Sequence, residues 1–255
     1  TVNDALIAYH RARAKGGAGL IITEVAGVHP TAYLMGKTLK AFNDDCIPGF
    51  RKLAQTCHEY DCRVFGQLFH AGREIASAPD ASMPVAYSAS DVPNERFHVV
   101  PRAMSRAFIA ELVDCYGTAA ARMVEAGLDG CEVLASHGYL LAQFFNPRVN
   151  KRTDQYGGGQ ENRLRIAVEI AAAVRPHLGG RPLGMRISGS ENGMADGLGA
   201  EETLDLCAAL EPHFDYFNVT IGGSTTLGGS LHIAPSMFYE PGYVGPTAGR
   251  VRKKL

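Results

Sequence analysis

Two apolar spacings alternate along this chain. Helical spacing, with apolar residues three and four apart, runs over 4–15, 45–60, 106–126, 160–175, 200–211 and 246–254. Short apolar runs of strand type fall between them at 20–23, 64–68, 130–135, 183–187 and 216–221. The segment 106–126 is the clearest helix, apolar at Phe108, Leu112 and Tyr116 and again at Ile109, Val113, Ala120 and Val124. Ser105 can cap its start and Gly127 can stop it. Asn3 is placed to cap the first helix, with Asp4 favouring its first turn. Helices 160–175 and 200–211 are predicted to end before Pro176 and Pro212, because proline lacks the N–H that would continue the ladder.

Five strands in strict alternation with helices imply a parallel α/β sheet joined by right-handed crossovers. Such a sheet is either an open doubly wound one or the wall of a barrel. An open dinucleotide-binding sheet should show G-x-G-x-x-G directly after its first strand. Here Thr23 runs into Glu24-Val25-Ala26-Gly27-Val28, so the pattern favours the barrel. The 34 residues from Ala71 to Met104 form a polar, proline-containing excursion between strand and helix. A loop of that length in a compact domain is usually functional, and a short hairpin is expected within it.

A chain of 255 residues is long enough for one large domain with a full core. Its net charge is −1, from 25 basic and 26 acidic residues well mixed along the sequence. With no basic stripe and no polybasic segment, neither nucleic acid nor a membrane surface is the expected partner, and a small molecule is. Oligomeric state stays open. Cysteines stand at 46, 57, 62, 115, 131 and 207, none in a Cys-x-x-Cys pair; they read as buried free thiols, with no metal site. No signal peptide and no run of 18 apolar residues is present, so a cytoplasmic location is expected. The chain opens without methionine at a helix start and closes on Val251-Arg252-Lys253-Lys254-Leu255, and it reads as part of a longer protein.

Strand ends carry the candidate chemistry, which is where barrel enzymes place it. Gln67 ends the strand in GQLFHAGRE; a carboxamide offers donor and acceptor together, to a ligand edge or to a neighbouring strand. Arg186 lies in the apolar strand Gly184-Met185-Arg186-Ile187-Ser188. A guanidinium there needs an anionic or accepting partner, either a barrel carboxylate or a ligand. The strand 130–135 delivers Ser136, His137 and Tyr139 at its carboxyl end.

Residues 131–163, CEVLASHGYLLAQFFNPRVNKRTDQYGGGQENR, contain H-G-Y-L followed by N-x-R-T-D-x-Y-G-G-x-x-E-N-R. This motif resembles the flavin-dependent old yellow enzyme superfamily of NADH:flavin oxidoreductases, in its trimethylamine dehydrogenase and 2,4-dienoyl-CoA reductase branch. The resemblance implies a (β/α)8 TIM barrel with family strands two to six in this chain. Residues 1–255 would then be a single FMN-binding barrel domain truncated at both ends, with the principal FMN phosphate site outside them. It implies FMN as cofactor and NAD(P)H as reductant, with an iron–sulfur cluster and FAD only in a longer protein.

By the same resemblance Gln67, Arg186, Val25 and Glu24 contact the flavin, His137 lies over its face, and Tyr139 matches a proton-donating tyrosine. His70 and Arg73 read as structural. Arg152, Asp154, Tyr156, Glu161, Asn162 and Arg163 read as the network fixing the strand-to-helix crossing, with 157–159 as a turn. The chain also departs from the family. Leu134 stands where relatives carry a second polar grip three residues before the histidine. Val25 replaces an alanine, and the expected histidine partner of the tyrosine falls near Ser224, with His232 further along as a substitute. The implied function is hydride transfer through FMN between NAD(P)H or a reduced substrate and a small acceptor, as in ene- and dienoyl-CoA reductases. Oxidative N-demethylation of a small amine and an inactive, flavin-free barrel fragment remain as alternatives.

Overall fold

Apolar side chains on alternate positions of the strands pack against the apolar stripes of the helices, and this one pattern builds the molecule. The computed structural model describes residues 1–32, 38–76, 82, 84–192 and 197–255. In chain order the strands are β1 (Leu20–Gly27), β2 (Leu39–Lys40), β3 (Arg63–Phe69), β4 (Tyr87–Ser88), β5 (Arg102–Ala103), β6 (Gly130–Ala135), β7 (Leu183–Ser188) and β8 (Tyr216–Thr220). The helices are α1 (Asp4–Lys15), α2 (Ile47–His58), α3 (Arg106–Glu125), α4 (Leu140–Phe145), α5 (Gln160–Leu178), α6 (Ala200–Leu210), α7 (Leu227–Ile233) and α8 (Gly245–Lys254).

Six strands form one all-parallel sheet in the order β2-β1-β3-β6-β7-β8. From β1 to β8 the order only advances. A doubly wound sheet must reverse direction at a switch point, and this one does not. Val64, Leu68, Cys131, Val133, Leu183, Met185 and Ile187 point to one face and are buried with Leu112, Tyr116, Ile166, Ile170 and Val174 of α3 and α5. Residues between them in sequence point to the other face, because strand side chains alternate.

Several boundaries differ from the sequence expectation. Helix α5 runs through Pro176 to Leu178 and ends on Gly179 at φ 56°. The missing N–H falls in the final turn, and burial of Val174 and Leu178 holds that turn in place. Helix α4 was not foreseen: all six of its residues are buried, so no polar face marks it. Strand β2 is too short to show a period. In the 71–104 excursion the expected hairpin reduces to a single antiparallel bridge, Asn94 to Val99, with β4 and β5 paired parallel around it; residues 77–81 and 83 lie outside the described ones.

The long motif ties this excursion down. Arg152 donates to both carboxylate oxygens of Asp154 at 2.9 and 2.6 Å and to the carbonyls of Ala89 and Met104. Asn150 bridges the carbonyls of Phe144 and Tyr156. Gly157 lies against the Arg152 backbone with no room for a Cβ. All six cysteines are free thiols, five of them buried. No described helix is long and apolar enough to cross a membrane.

Candidate active site

The sheet face turned away from the helices is polar and layered. At its base, Phe65 lies over Gly130 and the Tyr216 ring over Gly184; an added Cβ at either glycine would run into the ring. The next register row joins Val25, Gln67, Glu132, Gly184 and Tyr216 as successive neighbours across five strands. One pleat nearer the strand ends, Leu134, Arg186 and Asn218 are neighbours. Gln67 and Arg186 therefore share a face, two strands apart and one pleat offset.

Glu132 is fully buried at the centre of this floor. It accepts from Gln67 Nε2 at 2.7 Å, Asn218 Nδ2 at 3.0 Å and Tyr216 Oη at 3.1 Å. Arg186 is half-buried, not fully buried as its apolar strand suggested. Its Nε is sealed from solvent without a hydrogen-bond partner, and no described carboxylate pairs with it. The barrel salt bridge that would have explained this arginine blandly is absent among the described residues.

Above the floor stands an apolar wall of Phe69, Ala71, Ile75, Ala86, Val99 and Leu134, with Val25, Phe97 and Tyr139 packed against it. His137 follows β6 with φ +60°, a left-handed conformation unusual for a residue with a Cβ. The following loop holds it there: Ser188 Oγ accepts from its N–H at 2.8 Å, and its carbonyl accepts from Ser224 N at 2.8 Å. Its Nδ1 faces the Gly222 carbonyl at 3.4 Å. Burial, with the Arg186 charge adding to it, pushes the imidazole down to about 4, so the ring is neutral near pH 7. The Tyr139 ring meets Phe69 edge-on at 5.0 Å and lies 6.3 Å from the His137 ring. Its phenol is pushed up to about 12 by burial and by the Glu74 charge. A phenol gives up its proton more readily when its hydrogen bonds lower its pKa, and the net effect here is the reverse.

Not every candidate joins this cluster. Glu24 is exposed and bonds His10 of α1 at 3.0 Å, so it faces the helix layer and not the Gln67 face. A register irregularity between Ile22 and Val25 turns Val25 inward and leaves Glu24 out. His70 and Arg73 are buried structural groups. His70 takes the Gly72 N–H, and Arg73 donates to the carbonyls of Val92 and Pro93. The His232 ring meets Tyr239 edge-on at 5.3 Å and lies tilted 6.3 Å from Tyr243, and the side chain that reaches Tyr139 is Ser224.

Three polar residues escaped the sequence reading. Glu132 is a lone carboxylate inside an apolar strand, and that mismatch was its available signal. Glu74 is fully buried and accepts from Asn94, Ser224 and Thr225 at 2.6 to 2.8 Å. Gln143 anchors the backbone around His137 by donating to the Gly138 carbonyl at 2.8 Å.

The buried histidines set an acid limit. His137 at about 4 and His70 at about 3 both lie below the unfolded value, so the unfolded chain binds more protons below about pH 6.5. Their stabilisation is present above that pH and is lost as pH falls toward 4, at up to about 1.4 kcal/mol per pH unit for each. Glu191, pushed up to about 7 by burial, acts oppositely, losing stabilisation as pH rises from 4.5 to 7. The comparison of wild type with His137→Gln isolates the histidine: urea midpoints of the variant should fall less steeply between pH 6.5 and 4.5. Parallel curves would refute the neutral buried state of His137.

Known proteins carry the same framework. Residues 1–220 match the model of the NADH:flavin oxidoreductase / NADH oxidase family. The chain is 36% identical over 227 residues to a metal reductase of Desulforamulus reducens, covering 88% of this chain and 33% of that protein. It is 38% identical over 185 residues to an NADPH dehydrogenase of Bacillus velezensis, covering 72% of this chain and 53% of the relative. An N,N-dimethylglycine/sarcosine dehydrogenase of Chromohalobacter salexigens is 32% identical over 242 residues, covering 92% of this chain and 34% of its own. The chain thus spans about a third to a half of these relatives. Among solved structures, a 2-naphthoyl-CoA reductase in complex with 2-naphthoyl-CoA superposes with TM-score 0.89 at 26% identity, covering 99% of this chain and 40% of the other. The advancing parallel sheet is accordingly an incomplete (β/α)8 barrel wall. On this evidence the chain belongs to the NADH:flavin oxidoreductase / NADH oxidase family.

Proposed function

We propose that this chain provides the FMN-holding floor and the substrate-facing residues of an NAD(P)H-dependent oxidoreductase acting on a small molecule. The observation that carries this reading is Arg186: a guanidinium with a buried, unpartnered Nε on the same face as Gln67, below His137 and Tyr139. An unsatisfied buried donor is costly unless a ligand completes it, and a flavin pyrimidine edge offers accepting atoms of the right kind. When bound, FMN supplies two-electron hydride chemistry between NAD(P)H, or a reduced substrate, and the acceptor.

The residues divide the remaining work. Arg186 would set fixed positive charge where negative charge develops on reduction. Gln67 would contact the same edge through its carboxamide, and Val25 and Leu134 would pack beside the ring and exclude water. His137, neutral and fixed by Ser188 and Gly222, would offer one ring nitrogen to orient a substrate without acting as an acid near pH 7. Tyr139 would hold the proton for a substrate carbon. If it does, Tyr139→Phe should slow acceptor reduction by about 10²-fold while leaving reduction of the enzyme by NAD(P)H unchanged. Equal loss in both half-reactions, resolved by stopped-flow, would remove Tyr139 from the proton step.

The second reading, oxidative N-demethylation, draws on Leu134, which leaves no second polar grip beside His137, and on the likeness to the N,N-dimethylglycine/sarcosine dehydrogenase. Substrate screens separate the two: NAD(P)H oxidation driven by enones or enoyl thioesters, against formaldehyde release from N-methyl compounds. Flavin content decides the third. Purified protein that is folded yet takes up no FMN would leave an inactive barrel piece.

A further inference from the structure

We propose that Glu132 is a positioning residue that orients both carboxamides of the floor, Gln67 and Asn218, with their oxygens toward the mouth. The floor then reads a ligand edge that offers an N–H donor beside carbonyl acceptors. This deepens the FMN reading and rests on it.

The argument starts from what a carboxylate can do. Ionised, it only accepts. Glu132 Oε1 takes the Gln67 amide N–H at 2.7 Å, and Oε2 takes the Asn218 amide N–H at 3.0 Å and the Tyr216 O–H at 3.1 Å. A carboxamide on its own can rotate by half a turn at little cost, exchanging donor for acceptor. Against a fully buried carboxylate that rotation would set oxygen against oxygen and strand a charge. Gln67 and Asn218 flank Glu132 on opposite sides, and both are turned the same way. Their carbonyl oxygens have no protein donor among the described residues.

Tyr216 keeps its proton, because burial and the neighbouring Glu132 charge push its phenol up. Its donation is therefore constant, and Glu132 is satisfied by three neutral donors. Arg186 makes no ion pair with it, so the guanidinium stays available to a ligand. A residue that merely plugged the floor would need only to be satisfied, and a glutamine could do that. Holding two amides in one sense requires a group that cannot donate.

Glu132→Gln tests this, since the new amide can donate and lets Gln67 turn over. The measurements are the FMN dissociation constant and the two-electron midpoint potential. FMN should bind at least tenfold more weakly. Removing the negative charge beneath the ring should also shift the reduction equilibrium at least tenfold toward the reduced form, about 30 mV for this couple. In a Gln67→Met background the effect of Glu132→Gln on affinity should shrink, because the two act through one amide. Wild-type affinity and potential in a folded Glu132→Gln would leave Glu132 a structural plug and overturn the proposal. Wild-type protein that takes up no FMN would bring down the flavin reading itself, and this inference with it. If circular dichroism shows Glu132→Gln unfolded, Asn218→Leu replaces it, with tenfold weaker FMN expected and unchanged affinity overturning the idea.

Discussion

Replacing Arg186 by methionine is expected to lower kcat/KM for hydride transfer by about 10²- to 10³-fold, the usual loss when one preorganised donor to a developing negative charge is removed. That corresponds to about 2.7–4 kcal/mol of lost stabilisation. Methionine fills similar volume, and because Arg186 has no described protein partner, its removal strands no carboxylate. Folding should therefore survive while the reduced cofactor loses its charge partner. Arg186→Lys should fall between, keeping the charge but not the planar fork. Stopped-flow reduction by NAD(P)H, with bound FMN and melting temperature measured alongside, separates loss of chemistry from loss of fold. A methionine variant with wild-type reduction rates would mean that Arg186 does not face the flavin.

The second large effect concerns stability. Gly184→Ala is expected to destabilise the fold by about 3 kcal/mol, combining overpacking with a weakened hydrogen bond to a charged group. The Tyr216 ring occupies the space that a Cβ at 184 would need, and the same ring carries the hydroxyl that reaches Glu132. Pushing the ring aside therefore disturbs two layers at once. In a domain of this size the melting temperature should drop by roughly 8 °C. Gly184→Ala/Tyr216→Leu should recover part of the loss in packing without restoring the bond to Glu132. A single variant that melts like wild type would mean that the ring can move aside without cost.

Gln67 and Arg186 were visible as candidates because each is a polar side chain in an apolar strand. Glu132 has the same signature and was passed over, since the resemblance attached no role to it. Glu24 shows the opposite failure. It stands beside Val25 in a strand end, but the irregular step between Ile22 and Val25 decides which of the two faces inward. No alternation rule can place a residue next to such a step, because one inserted position reverses every side chain beyond it. Helix α4 was invisible for another reason: a helix buried on all sides has no periodic contrast to detect.

The sequence by itself determined the alternating β/α order, the long helices and Gln67 and Arg186 as polar residues in apolar strands, because period and composition are local properties of the chain. Tertiary structure decided the rest. Three donors from two strands converge on Glu132, Arg186 is left without a carboxylate among the described residues, and Ser224 comes to the Tyr139 side chain from far along the sequence. Such meetings depend on strand register and loop closure, which couple residues far apart in sequence and leave no periodic trace in it.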